Sequence, residues 1–88
     1  MVTRSETVVN ALGFHARAAA RFVKLASTFR SQITVSRGSR TTDGKSILGL
    51  LLLAAARGST LTITADGPDE AEAAEALGGL IVRGFEDQ

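Results

Sequence analysis

Cysteine is absent from this chain. Its absence excludes a disulfide framework and any thiolate metal site. Histidine occurs once, at position 15, so a transition-metal site is not expected, and no pattern calls for another cofactor. Tryptophan and tyrosine are missing too, and the four phenylalanines lie in or beside the helical stretches. The strands therefore offer no stacking platform for bases, and nucleic acid is not an expected partner. No apolar run approaches the roughly 18 residues of a membrane span, and the N-terminal stretch lacks a charged-then-apolar signal. A soluble, cytoplasmic, monomeric protein is expected. With one proline, no internal repeat and no low-complexity linker in 88 residues, residues 1–88 read as a single small domain.

Charge is unevenly placed. Residues 1–57 carry nine basic side chains against two acidic ones, a balance of +7, and residues 58–88 carry one against seven, a balance of −6. A basic N-terminal part suits an acidic partner or a phosphoryl group. The acids fall mostly along one late helix as a solvated face, and no paired-carboxylate site stands out.

The chemically pointed stretch is Gly13-Phe14-His15-Ala16-Arg17. Ala16 to Ala26 is alanine-rich and strongly helix-forming, so His15 stands where a helix begins. Gly13 permits a tight turn into it. The opening amides of a helix have no partner behind them and present positive potential, which favours an anion such as phosphate and an uncharged imidazole. Arg17 adds a planar cationic fork suited to phosphate oxygens. A histidine that takes and returns a phosphoryl group needs these parts. A histidine that merely caps its helix is the plainer reading of position alone.

The remaining chain alternates strand and helix patterns. Thr3 to Asn10 reads as a strand, and Ala11 to Phe14 as a loop. The first helix is expected to bury Ala16, Ala19, Ala20, Phe22, Val23 and Ala26, with Arg17, Arg21 and Lys24 outward. Phe29 should plug the core after it. Gln32 to Arg37, the turn Gly38-Ser39 and Arg40 to Thr42 make a hairpin. Ser46 is an N-cap candidate for a second helix over Ile47 to Ala56, closed by Arg57-Gly58. Thr60 to Ala65 is a fourth strand. Asp66-Gly67-Pro68 leads into a third helix with proline at its first position. That helix runs to about Gly84 on an apolar stripe of Ala74, Leu77, Gly78, Ile81 and Phe85. Glu86-Asp87-Gln88 is an acidic tail. Such an order suits an α+β layering.

Gly13-Phe14-His15-Ala16-Arg17-Ala18-Ala19 resembles the phosphohistidine motif of the HPr family, the histidine-containing phosphocarriers of the bacterial phosphotransferase system. The element order matches that family along essentially the whole chain. The resemblance implies an open-faced β-sandwich, a four-stranded antiparallel sheet with three helices on one face in the order βαββαβα. It implies that His15 accepts a phosphoryl group from enzyme I and passes it to an EIIA-type acceptor, with Arg17 assisting. The protein would be a stoichiometric intermediate and not an enzyme. Ala18 departs from the family, which usually has proline there. Altered transfer kinetics are the expected result.

The second helix is too apolar for an ordinary amphipathic one. Leu50, Leu53 and Ala54 make an inward stripe, which leaves Ile47, Leu48, Leu51 and Leu52 outside, exposed for a partner or packed between helices. By resemblance Ile47, Leu48 and Leu51, with Arg21 and Lys24, dock the partner proteins. Lys45-Ser46-Ile47 resembles the family segment modified by HPr kinase/phosphorylase, so Ser46 is either a regulatory phosphorylation site or a plain cap. Gly44-Lys45-Ser46 is not a nucleotide-binding loop, because Ser39 stands where that pattern needs glycine. The residues leave open the sugar branch, the nitrogen branch (NPr-like) and a mainly regulatory module switched at Ser46.

Overall fold

The structure is a computed structural model that describes residues 1–86. Its elements are β1 (Val2–Thr7), α1 (Ala16–Ala26), β2 (Gln32–Arg37), β3 (Arg40–Asp43), α2 (Ile47–Leu52), β4 (Thr60–Asp66) and α3 (Glu70–Val82). A 3-10 turn, Gly84–Glu86, follows. The four strands form one antiparallel sheet in the order β1-β4-β2-β3. Three helices cover one face, as the α+β reading requires. No helix among the described residues is long and apolar enough to cross a membrane.

Period-two alternation places the core. Ile33 and Val35 on β2 and Leu61, Ile63 and Ala65 on β4 turn inward and are buried. Each of the four larger ones contributes about 1.5–3 kcal/mol by leaving water. The opposite face is a field of hydroxyls. Thr3 pairs with Thr64, which pairs with Thr34; Ser5 pairs with Thr62, which pairs with Ser36, which pairs with Thr41. Ser5 and Thr62 are hydrogen-bonded at 3.0 Å, as are Ser36 and Thr41. β1 ends at Thr7, three residues before the expected Asn10. Beyond it Val8 is buried and Asn10 nearly so, with Val9 exposed between them. The helix-side residues of β1 include Arg4 and Glu6, paired at 2.7 Å, and Arg4 lies under α3 where Gly78 has no side chain to exclude it.

The first helix has the expected bounds but a different buried face. Ala18, Ala19, Phe22 and Ala26 are buried, whereas Ala16 and Ala20 are exposed and Val23 is half-buried. Alanine on every side carries no phase, and the large Phe22 ring decides which side faces the sheet. Phe29 is half-buried against the core.

The second helix is shorter than the apolar run suggests. It has six residues and ends at Leu52, not Ala56. Arg37 Nε donates to the Leu53 carbonyl at 2.6 Å and Arg40 Nη1 to the Leu52 carbonyl at 3.1 Å. These guanidiniums satisfy carbonyls that another helical turn would have used. Ala54 then takes a left-handed backbone, φ 52°. Leu50 and Leu53 are buried as expected, but Ala54 is exposed and Ala55 is buried instead.

Pro68 does not open the third helix. Asp69 is the N-cap residue and Glu70 the first helical one. Asp69 leaves its own helix uncapped and accepts from Arg30 N, Ser31 N (both 2.9 Å) and Ser31 Oγ (2.5 Å), which ties α3 to the α1–β2 connection. The Ser31 hydroxyl and the Arg30 amide hold the Asp69 carboxyl below its ordinary value. The expected stripe of α3 is buried, with Ala73 and Leu80 added to it. The helix stops at Val82, and Phe85 is buried in the turn beyond. Of the expected acidic tail, Glu86 ends that turn, and Asp87 and Gln88 lie outside the described residues.

Candidate functional site at the start of α1

His15 is the N-cap residue of α1, with φ −87° and ψ −179°. The first backbone bond of the helix runs from Ala19 N to His15 O, 2.8 Å. Ala16, Arg17 and Ala18 precede it and have no helical carbonyl behind them. Nδ1 of His15 accepts from the Arg17 amide at 3.3 Å. An accepting nitrogen carries a lone pair, so Nδ1 is unprotonated in this arrangement and its lone pair faces the helix start. The contact is long for a hydrogen bond. The imidazole is half-buried and Arg17 is exposed. Ala18, where the family usually has proline, is buried in the first turn.

The loop that delivers the histidine is tied at several points. Gly13 N donates to Asn10 O at 3.2 Å, and Asn10 Nδ2 donates to Gly13 O at 2.8 Å. His15 N also reaches Gly13 O, at 3.0 Å. Phe14 N donates to Ala55 O at 2.9 Å, which fixes the loop to the segment after α2. Gly13 has φ 66°, and a Cβ there would collide with the Ala55 carbonyl oxygen. Both the backbone conformation and the close approach therefore require glycine. Phe14 is buried, stacked on Phe85 with centroids 4.8 Å apart and edge-on to Phe22 at 5.6 Å.

Around this centre lie the other residues singled out by sequence. Lys24 is exposed on α1. Arg21 is half-buried, and its Nη1 donates to the Phe85 carbonyl at 2.7 Å. A guanidinium has five N–H donors, so this bond leaves others for a partner. Helix α2 packs against α1. Ser46 is its N-cap residue, half-buried, with Oγ accepting from Gly49 N at 3.0 Å. Lys45 Nζ is bound to the Phe29 carbonyl at 2.9 Å. On α2, Ile47, Leu48 and Leu52 are 43%, 68% and 64% exposed. Leu51 packs partly into the core, so Leu52 offers more apolar surface than Leu51 does.

Sequence reasoning missed Asn10, the Ala55 carbonyl and the Phe14–Phe85 stack. The turn pattern Asn10-Ala11-Leu12-Gly13 was a signal for the first. The other two join distant segments and leave no local trace. Among the described residues no group of three or more His, Cys, Asp or Glu could hold a metal.

Comparison with known proteins decides what this constellation belongs to. Residues 2–83 match the family model described as the phosphotransferase-system HPr component phosphorylation site. The phosphocarrier protein HPr of Cupriavidus necator is 51% identical over 85 residues, 97% of this chain and 96% of that protein. The chain belongs to the HPr family. Further members include the HPr of Neisseria meningitidis, 46% identical over 81 residues, 92% of this chain and 91% of that one. A crystal structure of HPr from Thermoanaerobacter tengcongensis superposes with a TM-score of 0.94 at 39% identity, over 100% of this chain and 99% of that one. The crystal structure of Crh, a Bacillus subtilis protein described as a swapped dimer, covers 96% of this chain and 97% of its own at a TM-score of 0.77 and 36% identity. An HPr is a phosphocarrier of the phosphotransferase system, and both the fold and the element order here are those of HPr.

Proposed function

We propose that His15 is the phosphoryl-carrying residue of this HPr, taking the group from phosphorylated enzyme I and handing it to an EIIA-type domain. The single observation behind this reading is the lone pair of His15 Nδ1 facing the amides that open α1. In the transfer, that pair attacks phosphorus. The bond to the donor atom of enzyme I breaks, and its electron pair stays with the donor. The new phosphoryl oxygens would displace the long Nδ1 contact and take the Arg17 and Ala18 amides as partners. Arg17 supplies an exposed guanidinium for the same oxygens. Onward transfer reverses the step, so the chain is restored and acts as a stoichiometric carrier rather than an enzyme.

Docking follows from the surface around that ring. Ile47, Leu48 and the exposed part of Leu51 offer apolar area, and Lys24 with the remaining donors of Arg21 offers positive charge. Residues 1–88 then serve as one cytoplasmic, monomeric carrier domain. The sugar branch and the nitrogen branch use the same chemistry at His15.

Ser46 is the proposed regulatory site, open to HPr kinase/phosphorylase. Its support is position: the hydroxyl stands next to Ile47 and Leu48. A phosphate there would place negative charge at the edge of the docking surface and repel an acidic partner.

The test is incubation with enzyme I and radiolabelled phosphoenolpyruvate. Acid-labile, base-stable label is expected on the wild type and none on His15→Ala. A wild type that stays unlabelled ends this reading.

A further inference from the structure

The far end of the chain reaches the histidine loop. Gly84, Phe85 and Glu86 have left-handed backbones, with φ of 64°, 58° and 59°. Three such residues in a row are uncommon, and two of them carry side chains that disfavour the region. Strain of this kind persists only where the surroundings over-determine it, and it collects at functional sites.

Two contacts hold the turn and one close approach accompanies them, and all lead to the segment around His15. A Cβ on Gly84 would lie 3.3 Å from the Asn10 Cβ, and Asn10 is the residue whose amide grips the Gly13 carbonyl. The buried Phe85 ring stacks on Phe14, with 19° between the planes. Phe14 is the residue immediately before His15. Arg21 clamps the Phe85 carbonyl from the second turn of α1, the helix that His15 caps. With this left-handed backbone the Phe85 ring meets Phe14 and its carbonyl meets Arg21 at once.

We propose that the turn Gly84–Glu86 is a brace that sets the aim of the His15 ring, with Phe85 and Arg21 as positioning residues for phosphoryl transfer. The inference rests on His15 being the phosphoryl carrier. Neither positioning residue touches the transferred group. In-line attack requires Nδ1 to approach phosphorus within a narrow cone, and small misplacements slow such steps steeply. A slack brace leaves the loop Asn10–Phe14 free to tilt the ring. The apolar docking surface of α2 is untouched by it. The loss therefore falls on the maximal rate and not on the apparent KM.

Rapid-quench labelling by phosphorylated enzyme I, over a range of carrier concentrations, tests this at a temperature where circular dichroism shows each variant folded. Phe85→Leu is expected to lower the maximal rate about 10-fold with the apparent KM changed less than about twofold. Phe14→Leu should do the same, and the double variant should be little slower than either, because both changes break one stack. Should Phe85→Leu fail to fold, Phe14→Leu carries the same measurement. Maximal rates at the wild-type level in the folded variants, whatever their melting temperatures, overturn the brace while leaving His15 as the carrier. An unlabelled wild type removes both.

Discussion

Helices α1 and α2 pack against each other, yet they begin in opposite ways. α1 runs for eleven residues, buries a face of four, and is capped by an imidazole nitrogen at 3.3 Å. α2 runs for six, buries one, and is capped by a hydroxyl at 3.0 Å with two arginines on its last carbonyls. Short helices are unstable alone because nucleation costs more than a few bonds return. α2 therefore depends on its ends more than α1, which buries four residues, does. A cap that the fold does not need is free to do chemistry. A cap that the fold does need constrains what can be attached to it.

The largest test of that contrast is Leu50→Ala. Leu50 is the one buried residue within α2, so its loss should cost about 2–5 kcal/mol in urea unfolding. A cost under about 1 kcal/mol would mean the two end clusters suffice to hold the helix. Next come the caps themselves. Ser46→Ala should cost about 1 kcal/mol, and His15→Ala less than about 0.5 kcal/mol, measured side by side by thermal unfolding. Equal costs would break the comparison. The smallest effect extends it to α3, whose cap residue Asp69 spends its carboxylate on the Ser31 hydroxyl and the Arg30 amide. These bonds lower its titration point from the ordinary 3.8. The carboxylate's contribution is thus complete above about pH 4 and is lost as the pH falls through the lowered folded value. Urea midpoints between pH 5 and pH 2.5 should decline in the wild type, and the decline should be shallower in Asp69→Asn.

Much of this arrangement was legible because local chemistry decided it. The bounds of α1, the β2–β3 hairpin and the buried alternation of β4 follow from residue types in sequence order. His15, Arg17 and Ser46 were legible as helix-start residues for the same reason. The errors share a different cause. α2 looked four residues longer because nothing in Ile47 to Ala56 announces that Arg37 and Arg40 will take the Leu53 and Leu52 carbonyls. Ala16 and Ala20 were placed inward because a run of alanines has no heavy side. The partial burial of Leu51 was not legible either, for want of a reference direction around a helix apolar on nearly every side. The Phe14–Phe85 stack spans about seventy residues of chain, so only the folded molecule reveals it.

The hydroxyl-covered side of the sheet has a practical use. It lies across the molecule from the helices, and its exposed positions, such as Thr3 and Ser5, hold neither charge nor bulk. The chain has no native thiol, so one cysteine placed at Ser5 would react alone. A dye or a surface linker attached there would leave the helix side and its His15 loop uncovered, and turnover of the carrier could be followed one molecule at a time.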